Sequence, residues 1–122
     1  MDIFHCSLRI RSVLELEEVG WIISDRVLGG VPLGGRADYI RDEVPAIYTR
    51  TRVLGMEFIL QGEPDEEGYY LTGDPADLME GLSIDEFKSR LRDISDLVAR
   101  LLEGGGSIEV FVDPPFKPGT HP

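Results

Sequence analysis

The chain reads as an α+β domain: a single, mainly antiparallel sheet of about five strands with two helices packed on one face, in the order β-α-β-β-β-α-β. Three observations predict this. Segments that alternate apolar and polar residues cluster in the middle of the chain. Two stretches with apolar residues at helical spacing bracket that cluster, each opened by a Ser-x-x-Glu capping box. Glycine- and proline-rich stretches separate the segments.

Each element follows from its residues. Over 3–11, Phe4, Cys6, Leu8 and Ile10 share one side, and His5, Ser7, Arg9 and Arg11 the other, as in a half-buried strand. Ser12-Val13-Leu14-Glu15 then opens a helix that runs to about Leu28, with Leu16, Val19, Ile23 and Val27 on its apolar stripe. Gly20 weakens this helix and Gly29-Gly30 ends it. Residues 29–45 carry many glycines and prolines and predict a long connection, with a short turn of helix over 38–44. A second strand is expected over 47–53, broken at Gly55, and a third over 56–61. Residues 63–68 form a turn, Tyr69–Thr72 return as a fourth strand, and Gly73-Asp74-Pro75 stops the sheet. Ser83-Ile84-Asp85-Glu86 caps a helix whose stripe is Ile84, Phe87, Leu91, Ile94, Val98, Leu101 and Leu102. Gly104-Gly105-Gly106 closes it, and Ile108, Val110 and Val112 form the last strand. The expected layout is one domain over 1–112 and a proline-rich extended tail over 113–122.

Composition excludes several functions. The 122 residues hold 12 Lys+Arg against 23 Asp+Glu, a formal net charge of −11. Such a chain is a poor nucleic-acid binder, because phosphate contacts need clustered cations. No apolar run is long enough to span a membrane. The single cysteine, Cys6, allows no internal disulfide. That thiol, with no secretory signal at the N-terminus, points to the cytoplasm.

The charge is concentrated. Residues 53–87 hold ten acids and no base: Glu57, Glu63, Asp65, Glu66, Glu67, Asp74, Asp77, Glu80, Asp85 and Glu86. Carboxylates this dense repel one another and face water unless a cationic partner approaches. The candidate partner-binding residues are therefore Glu57, Glu63, Asp65, Glu66, Glu67, Asp74, Asp77 and Glu80, with Tyr69 and Tyr70 as flat anchors. The bland alternative is a solvated hairpin and loop.

Other motifs are weaker. Asp74, Asp77 and Glu80 offer hard oxygen ligands but lack the spacing of a calcium loop, so no metal or other cofactor is expected. Gly-Gly-Val-Pro-Leu-Gly-Gly over 29–35 lacks the lysine of a phosphate loop and follows a helix rather than a strand. Its Val31 and Leu33 touch either the core or a partner. His5 and Cys6 are adjacent, so on a strand they face opposite sides and cannot act as base and nucleophile together. Arg9, Arg11, Arg50 and Arg52 beside Tyr48 suggest either a small anion site or cross-strand pairing with Glu57 or Glu109. No catalytic set emerges.

A small, very acidic α+β domain carrying Glu63-Pro64-Asp65-Glu66-Glu67-Gly68-Tyr69-Tyr70 and Asp74-Pro75-Ala76-Asp77-Leu78-Met79-Glu80 resembles the immunity proteins of bacterial toxin systems. The resemblance implies a protein that occludes a toxin or effector domain, an acidic patch covering a basic active site. Two other readings stay open. One is a self-associating regulatory or structural module, a homodimer built through strand edges or loop 29–35. The other is a small enzyme whose cleft draws on His5, Tyr48, Arg50 and Arg52.

Overall fold

The computed structural model describes residues 3–41, 44–62, 68–75, 83–103 and 108–112, with the backbone path alone over 37–41 and 44–45. In chain order the elements are β1 (Ile3–Arg11), α1 (Leu16–Arg26), β2 (Gly35–Arg41), β3 (Val44–Tyr48), β4 (Met56–Gly62), β5 (Gly68–Pro75), α2 (Ile84–Arg90), β6 (Leu91–Asp93), α3 (Ser95–Leu102) and β7 (Glu109–Val112). The class is α+β as the sequence predicts, but the described residues form seven strands and three helices rather than five and two.

The sheet is a meander, β2-β3-β4-β5, whose last strand pairs antiparallel with β1. Two short strands divide the far edge of β1. β6 runs parallel beside Ile3–His5, and β7 runs antiparallel beside Leu8–Arg11.

Alternation along the strands decides what is buried. Cys6, Leu8 and Ile10 of β1, Phe58 and Leu60 of β4 and Leu71 of β5 all point to one side. There they meet Val19 and Ile23 of α1 and Val98 and Leu102 of α3 in one cluster. Each such side chain contributes about 1.5–3 kcal/mol relative to its exposed state. α1 and α3 thus pack on the same face, whereas α2 buries no residue. Gly20 has a packing reason: a Cβ there would lie 2.6 Å from Cδ1 of Ile47. The bare backbone lets α1 approach β3.

Several expectations are corrected. The glycine-rich connection is short, because β2 and β3 occupy most of 35–48 as strand. The expected turn of helix over 38–44 is strand wherever it is described, residues 42 and 43 lying outside the described set. Gly29 and Gly30 do stop α1, both at positive φ, but Gly35 sits inside a strand under the ring of Tyr48. Val31 and Leu33 pack against the protein's own core.

The expected strand over 47–53 is β3, which begins earlier and ends at Tyr48. Thr49 still bonds to Phe58, its amide to the Phe58 carbonyl and its hydroxyl oxygen to the Phe58 amide. Val53 and Met56 then exchange backbone hydrogen bonds across a two-residue turn, Leu54-Gly55, with both central residues at positive φ. β5 does not stop at Gly73 but continues to Pro75, opposite Met56.

The first capping box is not formed: Ser12 Oγ accepts from Leu14 N, and α1 starts after Glu15 without a side-chain cap. The second is formed in part, with Ser83 Oγ accepting from Glu86 N at 3.1 Å. The helix it opens breaks at Leu91–Asp93. The reason lies on β1, whose edge at Ile3–His5 needs backbone partners. β6 supplies them, Ile94 N donates to the His5 carbonyl, and Ser95 Oγ accepts from Ser7 N. Asp93, one residue before the N-cap Ile94, then accepts from Ser95 N at 2.9 Å and from Ser95 Oγ at 2.5 Å. The closing glycines 104–106 and the tail 113–122 lie outside the described residues.

Candidate docking face

The alternation that turns Leu8 and Leu71 inward turns Arg9 and Tyr70 outward, onto the face opposite α1 and α3. Cross-strand register assembles this face in rows. Glu57 of β4 stands directly opposite Asp74 of β5, and both are exposed. In the next row Tyr48, Ile59 and Thr72 stand side by side, all half-buried. In the row beyond, Gln61, Tyr70, Arg9 and Phe111 follow one another across four strands. Ala46 and Gln61 are buried on this face, so its open part runs from the Glu57–Asp74 pair to Tyr70, Arg9 and Phe111.

Two aromatic arrangements give this face its relief. Arg9 lies over the Tyr70 ring, 5.0 Å from its centroid, a cation–π contact. Tyr48 lies across Gly35, where an added Cβ would come within 2.2 Å of its ring. Like charges directly opposed across a pair of strands are destabilising, so the Glu57–Asp74 arrangement costs the fold stability.

The ten candidate residues divide. Glu57, Tyr70 and Asp74 share the open face. Tyr69 belongs to the other side: its ring packs against the core and its hydroxyl donates to the Leu14 carbonyl. Burial raises its phenol pKa, and the carboxylates of Glu15, Glu17 and Glu18 add to the rise. Adjacent strand residues cannot both anchor one partner, so Tyr69 instead ties β5 to the segment entering α1. Glu63, Asp65, Glu66, Glu67, Asp77 and Glu80 lie outside the described residues.

The arginines expected to share a face are not brought together. Arg9 and Arg11 lie on β1, while Arg50 and Arg52 follow the end of β3. β4 and β5 intervene, which separates those strands by about 14 Å. Arg11 instead stands opposite Glu109, the cross-strand alternative. Arg36 Nη1 meets Glu17 Oε1 at 2.5 Å and links β2 to α1. A backbone hydrogen bond, then Arg36, holds the Glu17 carboxyl below its ordinary range.

Cys6 is a core residue, as its strand position predicts, and burial pushes its thiol up to about 12. His5 faces Asp93 in the β1–β6 register. Among the described residues no three His, Cys, Asp or Glu side chains are grouped to hold a metal ion, and no helix is long and apolar enough to cross a membrane. Sequence reasoning missed Ile59 and Thr72 as neighbours of Tyr70, and Phe111 as the neighbour of Arg9 in the same row. The alternation of each strand was readable, but the register that aligns them was not. No family model, curated protein or solved structure matches this chain.

Proposed function

We propose that this chain is an acidic protein-binding module that neutralises a basic partner, in the manner of an immunity protein occluding a toxin or effector domain in the bacterial cytoplasm. The observation that carries the reading is the Glu57–Asp74 pair on the same open sheet face as Tyr70, two rows along β5. Facing carboxylates weaken an isolated sheet, and a cationic surface relieves their repulsion. An aromatic ring within the same face supplies flat contact area at small entropic cost. The charge of residues 53–87 steers a basic protein toward the molecule and repels acidic ones.

The test begins with co-purification from the native cells and continues with the retained protein alone. That protein is expected to be basic, and its activity is expected to fall to background at one equivalent of this chain. A retained protein whose activity is untouched by excess chain contradicts neutralisation.

A further inference from the structure

The only tryptophan of the chain, Trp21, is 71% exposed in the middle of α1. Its indole presents a large flat area of the residue type most enriched at interface hot spots. Its surroundings are specific. Glu18 lies one turn before it and Asp25 one turn after it, so the two carboxylates flank the indole along one helix face. With Leu14, Ile22 and Arg26 they line a groove of about 310 Å³. Leu14 and Ile22 also pack against the core, which fixes the apolar floor. Arg26 Nη1 donates to the Leu102 carbonyl at 2.9 Å, directing that charge toward the end of α3.

We infer that this groove binds an arginine side chain presented by a protein partner. A guanidinium is planar and weakly hydrated, and it stacks on an indole face while its N–H groups reach carboxylates. Trp21 offers the face, and Glu18 and Asp25 offer acceptors one turn to either side. Lysine fits less well, since a point charge gains no stacking. Leu14 and Ile22 accept apolar residues flanking the arginine, which favours a peptide segment over the free amino acid. The groove lies on the helical side of the sheet, away from Glu57 and Asp74, so either surface can fail while the other stands.

Trp21 is its own reporter, because no other tryptophan contributes to emission. The full chain is titrated with acetyl-Ala-Leu-Arg-Leu-Ala-amide, with the same peptide carrying neutral citrulline for arginine, and with free arginine. The arginine peptide is expected to shift Trp21 emission saturably, and the citrulline peptide and free arginine to bind at least about tenfold more weakly. The doubly substituted E18Q/D25N chain, changed only at exposed positions, is expected to keep its melting temperature and lose a similar factor. The inference is overturned by equal binding of the arginine and citrulline peptides, by free arginine matching the peptide, by undiminished binding in E18Q/D25N, or by no saturable shift at millimolar peptide.

Discussion

Glu57 and Asp74 face each other across β4 and β5 with their side chains on the open side of the sheet. Two carboxylates in that position work against the strand pairing that holds them.

Asp74→Asn removes one of the two charges and keeps the shape. It should stabilise the fold by about 0.2–1 kcal/mol at low salt, less at high salt. Urea denaturation at two ionic strengths checks this. The same substitution should weaken partner binding, so stability and binding move in opposite directions. A variant that loses both contradicts the account of this pair.

Gly20 is a helix position where alanine ordinarily gains about 1 kcal/mol. Here Gly20→Ala should destabilise, because the new Cβ falls 2.6 Å from Ile47 Cδ1 within a close-packed core. Removing that methyl with Ile47→Val should restore the ordinary sign. A double-mutant cycle by chemical denaturation measures the coupling.

Leu54 holds φ 54° at the tip of the β3–β4 turn, and its side chain is 68% exposed. A branched aliphatic residue is costly in the left-handed region, where asparagine and glycine are favoured. Leu54→Asn should therefore raise stability by about 1 kcal/mol without disturbing the sheet, as read from the thermal midpoint.

Burial pushes the Cys6 thiol from 9.0 up to about 12, so the folded protein keeps a proton that the unfolded chain releases. The associated stability is complete below about pH 9 and is lost as pH rises toward about 12, at about 1.4 kcal/mol per unit. Tyr69, also raised, acts in the same direction. Cys6→Ala should flatten the alkaline slope of stability relative to the parent, and equal slopes for the two proteins would exclude Cys6 as its source.

Local pattern carried much of the fold. Phe4, Cys6, Leu8 and Ile10 announced β1, Met56, Phe58 and Leu60 announced β4, and Val19 and Ile23 announced the buried side of α1. What stayed hidden depends on contacts distant in sequence. Gly35 reads as a loop residue, yet it is strand, paired with Tyr48 thirteen positions later, whose ring lies against it. Leu91 and Ile94 continue a helical stripe, yet 91–93 are strand because the edge of β1 near His5 recruits them. For the candidate site, the tyrosines were legible as aromatics beside acids. Strand alternation alone separates Tyr69 from Tyr70, and register alone sets Glu57 against Asp74.

On the proposed function, the face bearing Glu57, Tyr70 and Asp74 receives a basic protein. The most direct measurement is the association rate of the purified partner with the parent chain and with E57K/D74K, at low and at high salt. The variant is expected to associate at least about tenfold more slowly at low salt, with the gap narrowing as salt rises. Equal rates at both ionic strengths, with the variant folded, would contradict it.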